Sequence, residues 1–266
     1  MRRNTPLFLL LVGLFPFLTG FDGPEAREAL DTVFRNLYSP DMLVAVELRI
    51  DEGQPDAEDV TFAYGRKNKG GETRTLVYTG DGSRDASRLL LFQRPGAQDR
   101  AFASEGTRGQ VRAVSVGRHK GSLFGSDFNY ADFRAHSAAE YRIEVLGEDR
   151  IDGEPCRVLR LRPIEGPYTM LLAWVSQERP VMLRTDYFDE QGLWKRYRAR
   201  PEDIERNFDW WVPMQDEMID LRSGRHTVRQ VRNILIGTDV PDDAFTLTQL
   251  ARGRLPSGAR RLADMA

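Results

Sequence analysis

The length, composition and charge of the chain exclude several classes of protein. With 266 residues, the chain can form one large domain or two small ones. Charged residues make up 29% of it, which is typical of neither an integral membrane protein nor a low-complexity chain. The 38 basic and 40 acidic side chains give a formal net charge of −2, so we expect no nucleic-acid partner.

Residues that bind metals or carry out covalent catalysis are scarce. Cys156 is the single cysteine, which rules out an internal disulfide and any multi-cysteine metal site. His119, His136 and His226 are far apart and lack the spacing of metal ligands. No G-x-S-x-G motif marks a nucleophile. We therefore expect no enzymatic activity, no cofactor and no bound metal.

The N-terminal segment has the pattern of a secretory signal peptide. Arg2 and Arg3 precede residues 7–18, which are almost wholly apolar. Twelve helical residues rise about 18 Å, short of the roughly 30 Å hydrocarbon core of a bilayer. We predict that residues 1–22 direct export to the periplasm, with cleavage between Gly20 and Ala26. The alternative is an uncleaved N-terminal anchor.

Hydrophobic periodicity predicts an amphipathic helix followed by many strands. The helix covers residues 24–37, where apolar residues recur every three or four positions. From residue 42 the period changes to two. The strands predicted in the second half are 141–146, 156–162, 168–175, 181–188, 193–199, 211–221 and 227–236. Short turns separate them, which indicates an antiparallel meander.

A second helix is predicted over residues 130–139, and Ser126 or Asp127 is expected to cap it. Residues 23–250 are predicted to form one domain, because no linker divides them. Residues 251–266 are predicted to be a basic flexible tail.

A long antiparallel sheet with one apolar face must curl and cover that face. Two helices are a small cover for so many strands. From the residues alone, a packed core is favoured over an open cavity.

Several segments resemble outer-membrane lipoprotein-sorting proteins of the LolA-like family over residues 87–250. The first is Gly-Ser-Leu-Phe-Gly-Ser-Asp-Phe-Asn-Tyr-Ala-Asp-Phe at residues 121–133. Others follow in the order and spacing of the family, at residues 141–156, 174–175, 180–192, 210–214, 226–227 and 241–246.

The resemblance implies a mainly β (α+β) fold, in which a strongly curved antiparallel sheet forms an incomplete barrel covered by a few lid helices. It also implies a periplasmic carrier that binds the acyl chains of a lipoprotein or another lipid and shuttles them between membranes. An inner-membrane exporter is a further expected partner, and the protein is expected to be a monomer. The alternative is a periplasmic sensor or accessory protein of an exporter that binds a protein partner with the same sheet.

The carrier hypothesis predicts which side chains bind lipid. Within each strand they are every second residue, the set whose side chains lie on one face of the sheet. The alternative for each of them is an ordinary place in the core. In residues 168–175 both phases are apolar, so the opposite phase, with Leu171, Ala173 and Val175, stays open. The candidates are Phe62, Tyr64, Leu76, Tyr78, Leu89, Leu91, Met170, Leu172, Trp174, Leu183, Tyr187, Val212, Met214 and Met218.

Overall fold

The structure is a computed structural model that describes residues 23–51, 58–79, 87–94, 97–105, 109–114 and 121–252. The predicted signal peptide and nearly all of the predicted tail lie outside these residues. The helices of the described part are α1 (Pro24–Tyr38), α2 (Tyr130–Phe133) and α3 (Leu247–Arg252). Its strands are β1 (Met42–Asp51), β2 (Glu58–Lys69), β3 (Glu72–Thr79), β4 (Ser87–Gln93), β5 (Arg100–Glu105), β6 (Arg112–Val114), β7 (Tyr141–Ile151), β8 (Glu154–Pro163), β9 (Met170–Ser176), β10 (Met182–Asp189), β11 (Gly192–Ala199), β12 (Ile204–Asn207), β13 (Trp210–Pro213), β14 (Gln215–Asp220) and β15 (His226–Ile236).

Thirteen strands form one antiparallel sheet. Their order is β6-β5-β4-β3-β2-β1-β15-β14-β11-β10-β9-β8-β7, and β12 and β13 form a separate hairpin. The edge strands are β6 and β7, and the sheet does not close into a barrel. The prediction of a mainly β protein built on one open antiparallel sheet is confirmed.

The helix predicted at the N-terminal end of the domain is present as α1. Pro24 occupies the first turn of the helix. A backbone N–H at this position has no partner within the helix, so proline can stand here without the loss of a hydrogen bond. Leu30, Val33 and Phe34 are buried against the sheet, while the opposite side of the helix carries charged residues. Apolar burial therefore fixes which side of α1 faces the sheet.

The second predicted helix is much shorter than expected. Helix α2 ends at Phe133, and a separate 3₁₀ turn covers Ala138–Glu140. Asn129 caps α2 in a capping box with Asp132, so the cap is neither Ser126 nor Asp127. The helix ends because Arg134 is in an extended conformation, where it forms ion pairs with Asp99 and Glu140.

The sheet is strongly bent, because one turn of α1 bridges strands that are far apart in the strand order. The Phe34 ring lies 6.0 Å from the ring of Tyr141 on β7. The Tyr38 ring lies 5.1 Å from the guanidinium carbon of Arg66 on β2. These strands are eight positions apart, which would separate them by about 38 Å in a flat sheet.

Both faces of the sheet are covered. We call the face that carries Val44, Phe62 and Leu171 the inner face, and α1 packs on it. The opposite, outer face buries Leu43, Ala63, Leu76 and Leu90 against the C-terminal segment, whose contacting residues are Val240, Ala244, Phe245 and Leu250. In the part of the chain that the structure describes, no helix is both long and apolar enough to cross a bilayer.

The cover on the outer face predicts the effect of two substitutions near α3. Phe245 is 2% exposed and Leu247 is 42% exposed. We expect Phe245→Ala to lower the free energy of unfolding by about 3–5 kcal/mol, because it leaves a cavity between the C-terminal segment and the sheet. Leu247→Ala, the matched control, should change it by less than about 0.5 kcal/mol. Urea unfolding measures both, and equal effects would contradict this packing.

Candidate functional site

A cavity of about 200 Å³ lies between the inner face of the sheet and α1. Strands β1, β2 and β15 supply much of its apolar lining, together with rings from α1 and α2. Its volume is below the about 300–1,000 Å³ that is typical of small-molecule sites. Representative lining residues are Phe34, Val44, Val46, Phe62, Phe133, Val231 and Ile234.

Five of the fourteen residues predicted to bind lipid line this cavity. They are Phe62, Tyr64, Tyr187, Val212 and Met218. Leu89 and Leu91 belong to the same apolar cluster of the inner face, but the cavity does not reach them.

The candidates on β3 lie on the outer face. Register pairs Tyr64 with Val77, so Val77 is the inner residue of this strand. Leu76 packs instead in the outer cluster, and Tyr78 pairs with Ala63, which belongs to that cluster. The assigned phase is wrong here because residues on both faces of β3 are buried, so exposure to solvent does not distinguish the two faces.

On β9 the residues on the inner face are those of the alternative set, which the sequence analysis did not select. Leu171, Ala173 and Val175 pack against α1. Met170, Leu172 and Trp174 therefore point to the opposite face. There the Trp174 ring lies 4.1 Å from the guanidinium carbon of Arg184, and its indole N–H donates to Asp149.

The last two candidates also lie away from the cavity. Leu183 is fully buried in a separate cluster with Trp174 and Cys156. Met214 lies between β13 and β14, where its backbone N–H donates to Asp203 and its carbonyl accepts from Val231. The single strand predicted over 211–221 is interrupted at this residue.

Polar side chains in the cavity wall are absent from the sequence-based prediction. Arg66, Asp132, Arg134 and Arg229 all line the cavity. The alternation that selects Phe62 and Tyr64 places Arg66 next on the same face, so the sequence did contain a signal for this residue. Nothing in the local pattern marks the other three.

A buried ion pair holds α2 against the sheet. The Lys195 ammonium lies 2.5 Å from Asp132, and the two side chains are 1% and 4% exposed. Asp132 also accepts hydrogen bonds from the Tyr168 hydroxyl and from the Asn129 backbone. Burial raises the pKa of Tyr168 well above its ordinary value, so this hydroxyl stays protonated and donates.

A second polar cluster follows α2. Arg134 contacts Asp99 at 2.6 Å and Glu140 at 2.5 Å. The Tyr141 hydroxyl lies 3.0 Å from Nδ1 of His136. Burial alone would raise the pKa of Glu140, but its hydrogen bonds with His136 and Arg134 outweigh this effect and lower that pKa to about 2. The cluster therefore contains a stable carboxylate at neutral pH.

These groups form structural ion pairs and hydrogen bonds. Within the described ranges, no group of three or more His, Cys, Asp and Glu side chains is placed to hold a metal ion. What the site offers is a largely apolar cavity whose wall contains a few charged groups.

Comparison with known proteins connects this geometry to a family. A model for a family of uncharacterized proteins matches residues 71–252, which is more than half of the chain. The chain belongs to this family, DUF1329. No curated protein matches the sequence.

Three solved structures share the fold of this DUF1329 chain. A DUF1329 family protein from Desulfovibrio piger is 21% identical with a TM-score of 0.75, over 85% of this chain and 98% of that one. A domain assigned as an outer membrane lipoprotein-sorting protein from Vibrio parahaemolyticus is 19% identical with a TM-score of 0.74, over 86% and 97%. A LolA superfamily protein from Nitrosomonas europaea is 19% identical with a TM-score of 0.58, over 84% and 98%. The predicted LolA-like resemblance is confirmed at the level of the fold.

The acidic pKa of Glu140 predicts a pH dependence of stability. A carboxyl whose pKa is lower in the folded state stabilises the fold above its unfolded pKa, and this contribution is lost as the pH falls through the folded value. We expect wild type to be more stable than Glu140→Gln at pH 6. The difference in free energy of unfolding should shrink as the pH falls from about 4.5 towards 2. Urea unfolding across this range measures it, and a difference that stays constant would contradict the assignment.

Proposed function

We propose that this DUF1329 protein is a periplasmic carrier that holds the acyl chains of a lipid or lipoprotein on the inner face of its sheet and shuttles them between membranes. The observation that carries the proposal is the apolar inner face, which α1 covers without filling the cavity beneath it. The predicted signal peptide supports the periplasmic location. The fold shared with a lipoprotein-sorting domain supports the type of cargo.

Burial of hydrocarbon supplies enough free energy for such a carrier. Each CH₂ group removed from water contributes about 0.8 kcal/mol, so a sixteen-carbon chain contributes roughly 12 kcal/mol when fully buried. A carrier of this kind needs no covalent chemistry. It needs a dry concave surface and a cover that can move.

We propose that α1 is this cover. The cavity is smaller than a typical ligand site, so a long chain requires the helix to be displaced. Burial of Leu30, Val33 and Phe34 contributes about 5–9 kcal/mol to holding α1 in place. Leu37, Tyr38 and the two hydrogen bonds between Asn36 and the Trp211 backbone also hold the helix. Cargo must therefore supply most of the roughly 12 kcal/mol of a sixteen-carbon chain to replace it.

Adjacent residues of β15 provide a matched test of the cavity. Ile234 lines it, whereas Leu235 is 37% exposed and does not. We expect Ile234→Glu to weaken binding of a neutral fluorescent alkyl probe by at least about tenfold, because it puts a charge in the apolar cavity. Leu235→Glu should bind within about twofold of wild type. Circular dichroism verifies folding, and equal binding by both folded variants would contradict the proposal.

Displacement of α1 predicts a change in amide hydrogen exchange. When a long-chain probe binds, the backbone N–H groups of α1 that follow Pro24 should exchange faster, because the helix loses its packing against the sheet. The amides of β8, which stays paired with β7 and β9, serve as the internal control and should not change. Greater protection of α1 upon binding would show that the helix is not displaced.

A further inference from the structure

Arg66 is a buried cation in the cavity wall that has no carboxylate partner. Its side chain lines the cavity, and the residue is 3% exposed. Nη1 donates to the carbonyl of Leu37 at 2.9 Å, and Nε donates to the hydroxyl of Thr75 at 3.4 Å. Among the residues that the structure describes, no acidic side chain forms an ion pair with it.

The other buried charges of the lining are balanced. Asp132 pairs with Lys195, Arg134 pairs with Asp99 and Glu140, and Arg229 pairs with Asp216. The remaining charged lining residue is Glu165, which is exposed to solvent. Among the buried charges of the described lining, Arg66 is therefore the one that lacks a partner of opposite charge.

The groups around Arg66 compensate its charge only in part. The Leu37 carbonyl belongs to the C-terminal turn of α1, where the helix dipole amounts to about half a negative charge. The rings of Tyr38 and Tyr64 lie 5.1 and 5.5 Å from its guanidinium carbon. Burial raises the pKa of Tyr38 to about 12, so its hydroxyl supplies no negative charge at neutral pH.

Hydrogen-bonding capacity is also unused. A guanidinium has five N–H donors, and Arg66 uses two of them. The three others include both donors of Nη2. Two adjacent N–H groups of a guanidinium match the two oxygens of a carboxylate or phosphate.

We propose that Arg66 binds the anionic head group of the cargo, and that the cargo class is an amphiphile with a carboxylate or phosphate at the end of an alkyl chain. This inference rests on the proposed carrier function. The head group binds the free N–H groups of Arg66, and the tail lies along the same phase of β2. Phe62, Tyr64 and Arg66 share that phase, so the path from head group to Phe62 is about 13 Å long.

The test compares ligands that have one tail and different head groups. Dodecanoate, dodecyl phosphate and dodecanol are titrated into the protein by calorimetry at pH 7.5, below their critical micelle concentrations. Acetate and inorganic phosphate provide the same anions without a tail. The proteins are wild type, Arg66→Gln and Arg66→Lys, with Arg198→Gln as control, because Arg198 is half exposed and pairs with Asp152 away from the cavity lining.

We expect wild type and Arg198→Gln to bind both anionic amphiphiles at least about tenfold more tightly than dodecanol. Arg66→Gln should bind all three alike, and Arg66→Lys should retain only part of the preference because it lacks the planar pair of donors. Acetate and inorganic phosphate should bind far more weakly than the amphiphiles.

Four outcomes overturn the inference. Equal binding of dodecanol and the anions by wild type, or a preference that persists in Arg66→Gln, would contradict the role of Arg66 but leave the carrier intact. Acetate or phosphate binding as tightly as the amphiphiles would indicate a site for a free anion. If no ligand with a tail binds, the proposed carrier function fails as well. The wild-type comparison decides the head-group preference even if Arg66→Gln does not fold.

Discussion

The need to hide the inner face of the sheet from water determines most of this structure. The face is largely apolar from β5 to β7, and α1, the segment around α2 and the β12–β13 hairpin cover it. Bending brings its two halves towards each other, and α1 bridges them through Phe34 and Tyr38. A helix of fifteen residues, a helix of four residues and a short hairpin do not fill the space that the bend encloses. The cavity is thus a consequence of covering a large curved sheet with little helix.

The same shortage of helix explains why charged groups are buried beside an apolar cavity. Helix α2 has four residues, and Ala131 is the one that it buries. So short a helix has little stability of its own and depends on tertiary contacts. Lys195 and Asp132 fix its position through a desolvated ion pair, which gives little net stability but has a strict geometric requirement. The cover of the cavity therefore combines an apolar helix with a polar attachment.

The sequence predicts the elements better than it predicts their faces. Apolar spacing identifies α1, and alternation with turn residues identifies the antiparallel strands. Alternation indicates the inner side only when the other side is polar. Strand β3 has neighbouring apolar residues at Leu76 and Val77, because the C-terminal segment covers the outer face. That contact joins residues about 170 positions apart, and no local pattern reports it.

Apolar residues are consequently weak markers of a binding surface in such a sheet. Leu76 and Val77 are equally buried, yet they lie on opposite faces, and both are explained by packing alone. A cationic side chain on the same face of a strand as aromatic residues is more informative. Burying a guanidinium away from carboxylates has a large desolvation cost that packing does not offset. Arg66 therefore calls for an explanation that Phe62 and Tyr64, on the same face of β2, do not require. Arg66 interrupts the row of apolar side chains on this face, and it is the residue from which the chemistry of the site is best inferred.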